Sequence, residues 1–242
     1  MMKSPPGPWL WVADIAPAKE AAWAARHAGW LSPSERARLN RISRAERRAQ
    51  MLAGHVLLRR LVAASSNVPA DAVAIAADAE GRPAVEFPKG WRASIAHSGR
   101  WVVALLDAGD AATGVDIEFR QTRRDIQTIV KAACGVDVAS RDHAYSVWAQ
   151  REAEFKAGPG SAAVWVATLD DHALAVCARA APVTATRTGF FMGEAPGERW
   201  RGSRRRRQTL RGNWQRRPAT AATSYIFSCY GEAGGVSIDS YI

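Results

Sequence analysis

The chain has no apolar run approaching the roughly 20 residues that a bilayer-spanning helix requires. Its opening, Met1-Met2-Lys3-Ser4-Pro5-Pro6, places prolines where a signal peptide needs an apolar helix. These absences predict a cytoplasmic protein with no membrane partner. Cysteine is scarce: Cys134, Cys177 and Cys229 are far apart and odd in number, which argues against a zinc motif or a disulfide framework and predicts reduced, mostly buried thiols. Lysine is missing from residues 183–242, where ten arginines face four acids, so this tail carries +6 of the net +10 and the other 182 residues only +4. Uniform basicity would point to nucleic acid, and here that inference is confined to the tail.

What is present suffices for a globular protein. The 242 residues can form one large domain or two small ones, and a hydrophobic fraction of 48% can fill a core. Residues 8–15 read as a Trp-rich opening strand. Ser32-Pro33-Ser34-Glu35 is a helix start, with Ser32 as N-cap, Pro33 at the first position and Glu35 reaching back in a capping box. Residues 44–64 read as a second helix with Leu52, Val56 and Val62 inward and Arg47, Arg48, Arg59 and Arg60 mostly outward. Strands are expected at 73–77 and 84–87 around a turn at 79–83, and a hairpin pairs 93–97 with 101–106 about Ser98-Gly99-Arg100. A strand at 114–119, helices at 123–133 and 140–157 and a strand at 173–177 complete an α+β pattern.

Three segments result: an N-terminal half (1–110), a C-terminal half (111–182) and a basic tail (183–242). In the tail, Arg204 to Arg207, Arg211, Arg216 and Arg217 sit among Gly, Ser, Thr and Trp without periodicity, so poorly ordered chain is expected there.

Chemistry concentrates in Gly114-Val115-Asp116-Ile117-Glu118 and in the helix carrying Trp148, Glu152 and Lys156. Alternation along a strand puts Asp116 and Glu118 on one face, roughly 7 Å apart. Trp148, Glu152 and Lys156 recur every four residues on one helical face. If the two elements pack, three carboxylates and an ammonium converge, a set suited to Mg²⁺ shared with substrate phosphates. The plain alternatives are a solvated edge strand and an ordinary surface ion pair. Against them stand the apolar opposite face of Val115, Ile117 and Phe119 and the Trp one turn before Glu152, while Glu154 lies off that face. His97, where a strand enters a Gly-containing turn, and Arg82, in Gly81-Arg82-Pro83, are each either ordinary or phosphate-binding residues.

Five motifs in order, spanning about 31–156, resemble the 4′-phosphopantetheinyl transferases of the larger pseudodimeric kind, typified by the activator of surfactin synthetase. They are Leu52-Ala53-Gly54-His55-Val56-Leu57-Leu58-Arg59, Gly81-Arg82-Pro83, Ser94-Ile95-Ala96-His97-Ser98-Gly99, the Asp116 strand and the Trp148 to Lys156 helix. The resemblance implies an α+β pseudodimer of two similar halves, each a small antiparallel sheet on a long helix, the second shortened. It implies transfer of the phosphopantetheine arm of coenzyme A to a serine of an acyl or peptidyl carrier protein. Asp116, Glu118 and Glu152 would ligate Mg²⁺, with Glu152 also the base. Lys156 would offset charge on the diphosphate, and Arg82, His97, Asp116 and Lys156 would meet coenzyme A. Arg36, Arg38, Arg47 and Arg48 would form a basic flank attracting the carrier. A monomer is expected.

Departures from the family pattern are Ala96 where serine is common, Ser94 for asparagine, Arg151 for lysine, and Gln50 near a position often taken by a basic residue that touches the nucleotide. Few residues separate Lys156 from the last strand. The rival readings are an inactive, truncated relative, or a nucleic-acid-binding protein using Arg201 to Arg217 with Trp200 and Trp214 as stacking groups.

Overall fold

The computed structural model describes residues 8–15, 25–158, 163–180, 182, 184–189 and 214–217. Along the chain run β1 (Trp9–Asp14), α1 (Pro33–Arg41), α2 (Ala45–Ser66), a short 3₁₀ turn (Ala70–Ala72), β2 (Ala74–Ala77), β3 (Pro83–Phe87), β4 (Trp91–Ser98) and β5 (Trp101–Ala108). Then follow β6 (Gly114–Phe119), α3 (Ile126–Cys134), α4 (Arg141–Ala157), β7 (Val164–Leu169), β8 (His172–Cys177), β9 (Thr184–Gly189) and β10 (Gln215–Arg217). The fold is α+β. Among the described residues no helix is long and apolar enough to cross a membrane.

Local chemistry sets the helix ends. The capping box of α1 is formed: the Glu35 N–H donates to Ser32 Oγ at 3.2 Å, and the Ser32 N–H donates to Glu35 Oε2 at 2.6 Å. Ser140 caps α4 by accepting from the His143 N–H at 3.2 Å. Gly158, with φ of 77°, ends that helix in a conformation a side chain would resist.

Six strands form the first sheet in the order β2-β3-β4-β5-β1-β9, and four form the second in the order β10-β7-β8-β6. Neighbours within each are antiparallel except β1 and β9, which run parallel. Alternation along β5 sends Val102, Ala104 and Leu106 into a core shared with α2, including Leu52, Val56 and Val62. It sends Trp101, Val103 and Leu105 into a second core, shared with Val115, Ile117, Leu174 and Val176 of the second sheet. A third core lies between that sheet and α3 and α4, built on Val130, Tyr145, Ala149 and Ala153. The layers are therefore helix, sheet, sheet, helix, and each fully buried Leu or Val contributes about 1.5–3 kcal/mol.

Hydroxyls on β4 attach the second sheet to the first. The Val115 N–H donates to Ser94 Oγ at 3.1 Å and the Phe119 N–H to Ser98 Oγ at 2.9 Å. Residues 115, 117 and 119 present their backbone groups on the side away from β8. Between the two serines stands Ala96, which has no hydroxyl to offer.

Three differences from expectation have physical causes. Arg59 is not outward: it is 1% exposed, drawn inside by the Glu35 carboxylate, to which its Nη1 and Nη2 donate at 3.0 and 2.6 Å. A strand the sequence reading omits, β7, occupies the stretch between Lys156 and β8, and a two-residue turn at Asp170-Asp171, with Asp170 at φ of 49°, closes the hairpin. The apolar face of β7 is discontinuous, which hid its period. Finally, β9 and β10 are strands within the segment expected to be poorly ordered, and each pairs onto an existing edge. Trp214 packs against the core between the sheets. Trp200, residues 201–207, Arg211 and Cys229 lie outside the described residues.

Candidate functional site

Gly114 decides how closely β6 and α4 approach. A Cβ there would stand 2.0 Å from the Ala153 carbonyl oxygen and 2.6 Å from the Ala157 nitrogen, so only glycine lets the backbone of α4 lie against the start of the strand. Two residues along, Asp116 is 5% exposed and accepts at Oδ1 from Lys156 Nζ at 2.6 Å. Its Oδ2 is buried with no hydrogen-bond partner. On the same face, Glu118 Oε1 accepts from Trp148 Nε1 at 3.0 Å and Oε2 from Arg124 Nη1 at 3.3 Å. The Arg124 guanidinium also lies over the Trp148 ring, 5.6 Å from its centroid. Asp116, Glu118, Glu152 and Lys156, expected to converge, do so.

Electrostatics confirm the crowding. Burial, then the Asp116 charge, raise the Glu118 pKa to about 7, with Glu152 adding to the effect. Burial and Asp116 likewise raise that of Glu152. For Lys156, burial works against the ammonium, but the charge and hydrogen bond of Asp116 prevail and its pKa is raised. The cluster therefore holds more acid than its cations neutralise. Among the described residues no three His, Cys, Asp or Glu side chains form a ready-made metal cage, and Lys156, Trp148 and Arg124 each engage one carboxylate oxygen of Asp116 or Glu118. The orphaned Asp116 Oδ2 amid mutually repelling carboxylates nevertheless fits a hard cation, since a buried, unpaired carboxylate oxygen is costly without one.

Beside this cluster lies a cavity of about 670 Å³ whose lining includes Glu35, Arg38, Arg41, Arg44, Arg47, His55 and His97, together with the apolar Ala76, Pro83 and Ile95. Four arginines against one carboxylate make it a cationic cleft. His97 belongs to both places: it lines the cavity, and its pKa falls to about 3 through burial and the charges of Arg47 and Lys156. Arg47 Nη1 donates to His97 Nδ1 at 3.2 Å, so the neutral ring carries its proton on Nε2 and can donate to an anion there. Arg82 donates from Nε to Asp78 and from Nη2 to Glu80, each at 2.8 Å. A Cβ on Gly158, at the end of α4, would lie 3.4 Å from Arg82 Nη1.

Sequence reasoning assigned several residues differently. Arg38 and Arg47, read as a carrier-attracting flank, line the cavity. Gln50, noted as a departure near a position often taken by a basic residue, is 3% exposed and donates from Nε2 to the Gly99 carbonyl at 2.9 Å, tying α2 to the β4–β5 turn. Arg41, Arg44 and Arg124 were missed. The first two carried a signal, since arginines at 38, 41, 44 and 47 recur every third residue. Arg124 carried none, because nothing in its neighbourhood reveals that a turn returns it to Glu118 and Trp148.

Residues 17–108 match a family model described as 4′-phosphopantetheinyl transferase, N-terminal. The match supports the 4′-phosphopantetheinyl transferase superfamily and a transferase of that kind. It takes in the arginine-lined cavity, Arg82 and His97 and ends before the Asp116 strand. Among curated proteins, none matches the chain.

Proposed function

We propose that the chain transfers the 4′-phosphopantetheine arm of coenzyme A to a serine of an acyl or peptidyl carrier protein, with Mg²⁺, as a cytoplasmic, monomeric enzyme of the pseudodimeric type. The observation that carries this reading is the adjacency of the under-neutralised Asp116, Glu118, Glu152 and Lys156 cluster to a cavity with four arginines, sharing His97. One place suits a dication and a reacting diphosphate, and the other suits a nucleotide bearing further phosphate.

Asp116, Glu118 and Glu152 would hold Mg²⁺, which supplies neutralisation of the diphosphate when bound. The carrier serine Oγ attacks the phosphorus nearer the pantetheine, forming a P–O bond. The bond from that phosphorus to the bridging oxygen breaks, and adenosine 3′,5′-bisphosphate leaves. Glu152 takes the serine proton, directly or through water. Lys156 offsets the charge that grows on the leaving phosphate. His97, through Nε2–H, and Arg82 hold phosphate groups of coenzyme A, and Arg38, Arg41, Arg44 and Arg47 supply the surrounding positive potential.

The test is the mass of a purified apo carrier protein after incubation with this chain, coenzyme A and Mg²⁺, with an EDTA control. A metal-dependent gain of one phosphopantetheine is expected. No gain on several acyl and peptidyl carriers, with the enzyme folded and coenzyme A bound, would overturn the reading in favour of an inactive relative.

A further inference from the structure

We infer that Arg124 is a resident counter-ion of the acidic cluster, a side chain that a divalent cation must move off Glu118, and that it thereby sets the cation affinity of the site. The inference rests on the metal reading above and adds to it a residue that reading does not use.

The two strand carboxylates are differently engaged. Asp116 gives one oxygen to Lys156 and keeps the other buried and unpaired. Glu118 has both oxygens engaged, one by Trp148 and one by Arg124. A dication reaching Glu118 would stand within a few ångström of the guanidinium, in a place where the Arg124 and Glu118 side chains are only 15% and 18% exposed. Like charges so close, with little water between them, compete for the same carboxylate. Arg124 has somewhere to go: the face of Trp148, on which it already lies, retains a cation without a carboxylate. Its present seat is also incomplete, since its Nε is buried with no hydrogen-bond partner.

The opposite role is equally definite and makes the sign of one measurement decisive. If Arg124 served to aim Glu118 at the metal, removing it would weaken cation binding. If it is a competitor, removing it strengthens binding. The experiment is calorimetric titration of the full chain with Mn²⁺ alone, at pH 8 and without coenzyme A or carrier, for the wild type and for Arg124→Gln, Arg124→Met, Arg124→Lys and Asp116→Asn. Arg124→Gln and Arg124→Met are expected to bind Mn²⁺ roughly five- to tenfold more tightly, the order expected for removing one charge near the ion. Arg124→Lys should stay near wild type, because it keeps the charge. Equal or weaker binding in both neutral variants, with near-ultraviolet circular dichroism unchanged, overturns the inference and leaves the metal reading standing. Mn²⁺ uptake that Asp116→Asn leaves intact, or no uptake by any variant, overturns the metal reading and this inference together.

Discussion

Two buried clusters in this molecule are built from the same ingredients and behave in opposite ways. In the first, Glu35 lies between Arg59 and His55, with His55 Nδ1 at 2.5 Å and Arg59 Nη2 at 2.6 Å. Burial alone would raise its pKa, but the hydrogen bonds from His55 and Arg59 prevail and bring it to about 2. In the second, Asp116, Glu118 and Glu152 share Lys156 and Arg124, and the pKa of Glu118 climbs to about 7. One carboxylate surrounded by donors is a structural joint. Three carboxylates with too few cations form a site whose charge is left incomplete, which is what the proposed metal reading requires. The first cluster also serves the second region indirectly, because Glu35 fixes the start of α1, and with it Arg38 and Arg41 on the cavity wall.

The largest expected effect would come from removing acids from the second cluster. Asp116→Ala or Glu152→Ala should lower carrier modification on the order of a thousandfold or more, read by carrier mass; the urea midpoint should hold or rise in Glu152→Ala, where mutual repulsion is relieved, and fall in Asp116→Ala, which leaves Lys156 without its partner. Wild-type turnover in either variant would dissolve the distinction between the clusters. Glu35→Gln should do the reverse, costing about 3 kcal/mol of stability by leaving Arg59 buried without its carboxylate. Urea denaturation measures this, and an unchanged midpoint would mean that the first cluster is no joint.

Gly114→Ala tests geometry without touching a charge. Its Cβ meets backbone rather than a yielding side chain, so α4 must shift, at a cost of about 2–3 kcal/mol. Carrier modification should fall well beyond what the residual folded fraction explains. If activity tracks folded fraction alone, the close approach of β6 and α4 does not position the site.

Acid titration sharpens the comparison further. Glu35 and His97 both have folded pKa values depressed below their unfolded ones, to about 2 and about 3. Their contributions are complete above the unfolded values and are lost as pH falls, for His97 from about 6.5 towards 3 and for Glu35 from about 4.5 towards 2. Between about 7 and 4.5 the raised pKa of Glu118 acts in the opposite sense and adds stability as pH falls, so urea midpoints should decline mainly below that window, and His97→Gln should lessen the loss on acidification relative to wild type. The smallest effect is expected from Ala96→Ser. A hydroxyl between those of Ser94 and Ser98 would face Ile117 on the strand that carries Asp116, adding about 0.5–1 kcal/mol in the same denaturation assay.

The sequence by itself determined the capping box of α1, the period-two strand with Asp116 and Glu118 on one face, and the helical face of Trp148, Glu152 and Lys156. These features depend on spacing along a single element, and spacing is legible without a partner. Arg59 defeated the same method because helix periodicity ranks arginine as outward, and only a carboxylate arriving from α1, twenty-four residues away, makes its burial favourable. β7 was missed because its interrupted alternation gains meaning only once β8 pairs with it. Tertiary structure alone decided that four arginines from α1, α2 and the loop between them face one cavity, that Gly114 brings α4 onto β6, and that Arg124 reaches Glu118 and Trp148. Each of these is a contact between elements, whose strength depends on burial, charge and distance that no single segment of the chain contains.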